Sequence, residues 1–139
     1  MQKKINLLES RKQSYKTSKN FLKSFKYALS GIYYVFVTSR NFKIQLLFAL
    51  ISFIFGFSLH INMTNYLILV ATIMSVLILE ILNTSIESIV DLLVQKEFSS
   101  LAKISKDASA GAVLLASINS VIIGLYIFIP KIQLLFTNL

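Results

Sequence analysis

Charge is missing from two long stretches of the chain, and that pattern sets the architecture. No formally charged residue occurs from Ile44 to Leu79, and a second uncharged run extends from Ala108 to Ile129, just before Pro130 and Lys131. The first run is too long for one helix crossing a hydrocarbon core of about 30 Å, which takes about 20 residues. The polar stretch from His60 to Asn65 divides it. The pattern therefore predicts membrane helices over about 42–59, 66–94 and 108–130. Ahead of them, a turn of about 100° per residue puts Phe21, Phe25, Ala28, Leu29, Ile32 and Phe36 on one face. Lys16, Lys19, Lys23, Lys26 and Ser30 fall on the opposite face. This predicts an amphipathic helix over about 19–40, with its apolar face in the acyl boundary and its lysines towards anionic headgroups. An ordinary helix packed on the bundle would carry the same pattern, and that alternative stays open. Residues 1–18 are polar and basic and predict a loosely ordered tail ahead of a single domain over 19–139. The fold class is all-α integral membrane, with a surface helix and three transmembrane helices.

Composition strengthens this reading. Apolar residues make up 55% of the 139-residue chain and charged residues only 14%, against roughly 25% in soluble domains. Mean hydropathy is +0.71. A core this small cannot hide that much apolar surface from water, so much of it faces lipid. The chain has no cysteine, which excludes disulfides, thiol catalysis and thiolate metal sites. A single histidine, His60, leaves no basis for a histidine-built metal centre.

A net charge of +8 would by itself suggest nucleic acid. Its distribution points to a membrane surface instead, with no nucleic-acid partner. Most of the 14 Lys and Arg residues lie at or before Lys43, against one acid there, Glu9. With three crossings, the basic tail and the loop holding Lys96, Lys103 and Lys106 fall on one side and Lys131 alone on the other. The excess of positive charge places the N-terminus in the cytoplasm, and a multi-pass protein of the plasma (inner) membrane is expected. No short apolar segment with a small-residue cleavage site opens the chain, so no cleaved signal peptide is expected.

The second predicted membrane helix carries the candidate chemistry. Its last part reads EILNTSIESIVD, from Glu80 to Asp91. Spacings of three, four and four return Glu80, Asn83, Glu87 and Asp91 to one face, within an arc of about 80°. They span roughly 16 Å along the axis. Counted from Tyr66 as the outer boundary, Glu80 lies about 21 Å in, below the cytoplasmic interface. An ionisable group at that depth costs at least about 2.5–3.5 kcal/mol and normally faces a protein interior or a wet cavity. A seam that glues helices together is the plain reading of such polar residues. Four on one stripe that ends at the cytoplasmic surface favour a site. A second cluster, Lys106-Asp107-Ala108-Ser109-Ala110-Gly111-Ala112, stands at the predicted start of the third helix. A lysine and an acid there, beside the carboxylate stripe, suit a phosphate and its metal ion. Ala108, Ala112, Ala116, Ser120 and Gly124 recur every fourth residue, a small-residue ridge of the kind that lets membrane helices approach closely.

Carboxylates just beneath a cytoplasmic interface can meet a lipid headgroup on one side and a water-soluble cosubstrate on the other. One can take the proton of a lipid hydroxyl while another holds the metal of a nucleotide. No GxxxxGK[ST] loop occurs, which excludes a P-loop kinase.

EILNTSIESIVD followed by KDASAGAV resembles the bacterial family of small membrane diacylglycerol kinases, and more closely its Gram-positive branch, the undecaprenol kinases. The similarity runs from about Asn20 to the C-terminus. The resemblance implies a homotrimer of three-crossing subunits with an amphipathic surface helix and active sites shared between neighbours. It implies ATP-dependent phosphorylation of a membrane lipid alcohol, undecaprenol ahead of diacylglycerol, with Mg2+ as cofactor. Glu80 matches the family's general base and Glu87 its metal-binding glutamate. Asn83, Glu87, Lys106 and Asp107 match its nucleotide site, and Asp91, Arg40 and Asn41 stand at positions suited to supporting roles. A non-catalytic or degenerate member that serves as a membrane assembly protein is the competing expectation.

Two departures bear on this. The family has Glu-Arg-Asn before the first membrane helix, its glutamate helping to bind the metal, where this chain has Ser39-Arg40-Asn41. It also has an acidic-Tyr-His segment where this chain has Gln95-Lys96-Glu97. With Ser39 in place of a carboxylate, weaker magnesium binding is expected.

Overall fold

The computed structural model describes residues 21–95 and 97–137. All the regular structure among the described residues is helical: α1 Phe21–Thr38, α2 Arg40–Ser58, α3 Met63–Val94 and α4 Ser100–Thr137. The predicted basic tail over 1–18 lies outside the described residues. The chain divides into two compact units, one ending at Thr38 and the other beginning at Ser39.

In the first unit, α1 exposes Phe21, Leu22, Phe25, Leu29 and Ile32. The second unit holds α2, α3 and α4, each long and apolar enough to cross a membrane. Large apolar side chains such as Leu47, Phe48, Leu50, Leu114, Leu115 and Val121 are exposed along them, which suits contact with lipid rather than water. Helix α3 packs most extensively against α4 and less against α2.

All three predicted spans appear, and local capping chemistry moves their ends. Helix α2 begins at Arg40 because Ser39 stays extended (φ −85°, ψ 119°) and its hydroxyl accepts the Phe42 N–H at 3.1 Å. It ends in a left-handed turn: His60 has φ 48°, its N–H donates to the Phe57 carbonyl, and the Ile61 N–H reaches back to the Gly56 carbonyl at 3.1 Å. Gly56 lets Ile61 and Tyr66 pack closely there. A Cβ would come within 2.9 Å of Ile61 Cδ1 and 3.2 Å of the Tyr66 ring. Helix α3 starts at Met63, ahead of Tyr66, because Asn62 Oδ1 accepts the Asn65 N–H at 2.8 Å. It closes on Gln95, itself left-handed at φ 46°.

Helix α4 departs furthest from expectation. It runs over Ser100–Thr137, not about 108–130. Ser99 Oγ accepts the Ala102 N–H at 3.4 Å, and Lys103 pairs with Asp107 one turn on, so two extra turns form before the apolar stretch. At the other end Pro130 lies inside the helix. Its missing N–H removes one rung, to the Tyr126 carbonyl, without ending the helix. At about 1.5 Å per residue, α4 is longer than a hydrocarbon core is thick.

The apolar core sits at one end of this unit. Ile61, Leu69 and Ile127 are buried together, with Tyr66, Ile73, Ile123 and Phe128 packed on them. Phe55 meets Phe128 edge to face at 6.3 Å. The polar groups gather towards the other end. Along the small-residue ridge, a Cβ at Gly124 would meet nothing within 4 Å, so none of the described residues closes on the ridge there.

Candidate active site

Glu80 and Asn83 are polar residues buried in α3, at 2% and 8% exposure. Helical periodicity turns both inward, and each is supplied with partners from a different helix. The Glu80 carboxylate is held from two directions. Ser39 Oγ donates to its Oε1 at 2.8 Å, and Gln45 Nε2 donates to its Oε2 at 3.1 Å. Hydrogen bonds to a charged group contribute about 1.5–3 kcal/mol each. Two of them offset the cost of about 2.5–3.5 kcal/mol for a carboxylate at membrane depth.

Asn83 links α3 to α4 and to the next acid on the stripe. Its Nδ2 donates to Glu87 Oε1 at 3.0 Å, and its Oδ1 lies 2.6 Å from Ser109 Oγ. A carboxylate can only accept, so the amide orientation is set by Glu87. The Ser109 hydroxyl also lies 2.9 Å from the Lys106 carbonyl, two acceptors for one hydrogen. At the end of the stripe, Lys106 Nζ meets Asp91 Oδ1 at 2.5 Å, with side chains 37% and 64% exposed. Asp107 pairs with Lys103 rather than with its neighbour Lys106. Residues i and i+1 diverge on a helix, while i and i+4 share a face. Lys106-Asp107 therefore stands in the second turn of α4, not at its start as the sequence pattern suggested.

These contacts divide the predicted site residues between two cavities. One, of about 270 Å³, is walled by Asn41, Gln45, Glu80, Asn83 and Ser117 together with Ile44, Ala110, Val113 and Leu114. The other, of about 440 Å³, is lined by Asp91, Glu97, Lys103, Lys106 and Asp107 among others. Glu87 is connected to the first through Asn83. Arg40 is exposed and lines neither.

Three participants escaped the sequence reading as site residues: Ser39, Gln45 and Ser109. Ser109 lay within the Lys106–Ala112 segment and carried a signal in its position three residues after Lys106. Gln45 carried one too, as a polar residue at the head of an uncharged stretch. Its Oε1 is buried without a hydrogen-bond partner among the described residues, a cost of about 1–3 kcal/mol for a polar atom. Gln45 also lines a third cavity of about 160 Å³, mostly apolar in surface, with Phe48, Ala49, Ile73, Val76 and Val121 and the serines Ser52, Ser117 and Ser120.

Among the described residues no three carboxylate or imidazole groups converge on a metal position. A magnesium ion carried on nucleotide phosphates does not need three, because it takes one or two protein carboxylates and completes its shell with phosphate and water. Glu87 fits that role: Asn83 engages one of its oxygens, and the other makes no hydrogen bond among the described residues.

Residues 26–128 match the sequence model of the family described as prokaryotic diacylglycerol kinase. A protein of Synechocystis sp. named diacylglycerol kinase is 42% identical over 122 residues, covering 88% of this chain and 70% of the relative. A Bacillus subtilis protein named undecaprenol kinase is 42% identical over 112 residues, covering 81% of this chain and 90% of the relative. The polar stripe from Glu80 to Asp91, all of α2 and α3 and most of α4 thus lie within the matched segment, and the chain belongs to the prokaryotic diacylglycerol kinase family and is a membrane lipid kinase.

Proposed function

We propose that the protein transfers the γ-phosphoryl group of ATP to the hydroxyl of a membrane lipid alcohol at the cytoplasmic face, with undecaprenol the preferred substrate and diacylglycerol next. The observation that carries this reading is Glu80: a carboxylate 2% exposed, held by two donors at the wall of a cavity, one turn from the Asn83–Glu87 pair. Glu80 accepts the proton of the lipid hydroxyl as that oxygen attacks phosphorus. Glu87 would hold a magnesium ion brought by the nucleotide, which would supply charge to offset that of the phosphates. Asn83 fixes the Glu87 carboxylate and is itself fixed by Ser109. Lys106 exchanges Asp91 for the transferring phosphoryl group and stabilises the charge that spreads over its oxygens. Asp107 and Asp91 keep the lysines of α4 ordered around the nucleotide, Asn41 borders the site from the first turn of α2, and the exposed Arg40 is a supporting cation beside it.

The active assembly is a homotrimer with sites shared between subunits, and the open ridge around Gly124 supports close approach of a second chain. Helix α1 lies along the membrane surface, with its exposed Phe21, Phe25 and Leu29 in the acyl boundary. The N-terminus is cytoplasmic. A reporter fused after Leu139 is expected outside the cytoplasm and one inserted near Ser99 inside, because the basic residues cluster on that side. Both reporters on one side would remove the three-crossing topology.

The activity is tested with purified protein in mixed micelles, by ATP turnover against undecaprenol and diacylglycerol in parallel. Turnover should depend on added lipid and on magnesium and be faster with undecaprenol. Faster turnover with diacylglycerol would reverse the substrate assignment, and lipid-independent turnover would overturn the reaction.

A further inference from the structure

We propose that Gln45 and Ser39 are positioning residues that aim the Glu80 carboxylate at the incoming lipid hydroxyl. The proposal rests on Glu80 being the proton acceptor, and it assigns roles to two residues of α2 and its cap. Each holds a different oxygen of Glu80: Ser39 Oγ at 2.8 Å from Oε1 and Gln45 Nε2 at 3.1 Å from Oε2. A carboxylate on three side-chain torsions, held at one oxygen only, still rotates about its last bond. Held at both, it has one orientation, with a lone pair on each oxygen left for a substrate proton.

The second observation is the state of the Gln45 amide. Its Oε1 is buried and unpartnered. Turning the amide over would not relieve this, because it would set that oxygen against the acceptor-only carboxylate. A polar contact that served packing alone would be satisfied at both ends, as the Asn83 amide is. Gln45 instead leaves one end unsatisfied to hold the other on Glu80. It also borders both the polar cavity that contains Glu80 and the apolar one beside it. An alcohol borne on a hydrocarbon chain would cross from the second to the first past this residue. Ser39 is likewise committed twice, accepting the Phe42 N–H as it donates to Glu80, so the start of α2 and the base are fixed by one hydroxyl.

The test is a comparison of kcat and KM for Gln45→Leu in the intact protein, in the unmodified and the Glu80→Gln backgrounds. In the unmodified background, kcat should fall about 10–100-fold, the scale of a misplaced reacting group. The KM values for lipid and for ATP with magnesium should stay within about twofold, because neither binding site is removed. In the Glu80→Gln background, single-turnover transfer should change by less than about twofold, since there is then no base to aim. A purely structural role would lower both backgrounds alike, and that result would overturn the proposal. So would Gln45→Leu keeping more than about half of the unmodified kcat. If Gln45→Leu fails to fold, Ser39→Gly decides the question. Glycine retains most of a helix cap but donates nothing to Glu80. Ser39→Gly should lose kcat and Ser39→Thr, which keeps the hydroxyl, should recover most of that loss; equal kcat in these two variants would overturn the proposal. Absence of phosphoryl transfer by the unmodified protein overturns the assignment of Glu80 and this proposal together, whereas active protein insensitive to Gln45 and Ser39 overturns this proposal alone.

Discussion

Replacing Glu80 by glutamine is expected to lower lipid-dependent turnover by about 10²–10⁴-fold, the usual contribution of a general base. The substitution keeps volume and keeps an acceptor oxygen for Ser39 or Gln45, but an amide cannot take the hydroxyl proton. Nucleotide binding should survive nearly intact, because Glu87, Asn83 and Lys106 are untouched. The measurement is kcat in mixed micelles beside equilibrium binding of ATP with magnesium. Near-normal kcat in Glu80→Gln would show that another group accepts the proton. Equal loss of binding and turnover would show that Glu80 supports the fold rather than the chemistry. Glu80 Oε2 and Gln45 Nε2 make the second outcome a real test, since an amide at position 80 can turn its own NH2 towards Ser39 and leave Gln45 with a poorer partner.

Glu87→Gln is expected to act on the metal. The amide oxygen still accepts from Asn83 Nδ2, as Glu87 Oε1 does at 3.0 Å, so the local structure of α3 should persist. What disappears is the negative charge that a hard cation prefers. The half-saturating magnesium concentration should rise at least about tenfold, in line with the loss of one charged ligand, a difference of about 1.4 kcal/mol or more. Excess magnesium should restore much of the turnover, which it cannot do for Glu80→Gln. A magnesium titration of both variants separates the two roles. An unchanged magnesium requirement in Glu87→Gln would place the metal elsewhere, with Asp91, Glu97 and Asp107 the carboxylates to examine next.

The architecture was legible wherever it depends on long-range composition, and less so wherever a single side chain decides. The absence of charge from Ile44 to Leu79, broken by the polar segment at His60–Asn65, marked two helices and the turn between them. The starts of these two helices and of α4 were set by Ser39, Asn62 and Ser99, whose side chains accept backbone N–H groups. Such residues are as common in loops as in caps, so their role appears only with coordinates. Pro130 reads as a stop in a soluble helix, yet α4 continues through it to Thr137.

Within the site, spacing revealed the face shared by Glu80, Asn83, Glu87 and Asp91, because a helix makes periodicity visible in one dimension. The partners of that face come from α2 and α4, and no rule of spacing links Gln45 to Glu80 across the intervening chain. Ser39 illustrates the same limit. Compared with the glutamate expected there, it read only as a missing metal ligand, and its hydrogen bond to Glu80 emerges only from the structure. Adjacent Lys106 and Asp107 read as one cluster at a helix start, but helical geometry sends them to different partners, Asp91 and Lys103.

Transfer of label from [γ-³²P]ATP into extracted lipid tests the central claim most directly, since it follows the phosphorus atom itself. Protein in undecaprenol-containing micelles with ATP and magnesium should carry the label into the organic phase as a lipid monophosphate, at a rate lowered about 10²–10⁴-fold in Glu80→Gln. Label released only into water as inorganic phosphate, or transferred equally well by Glu80→Gln, would contradict the account.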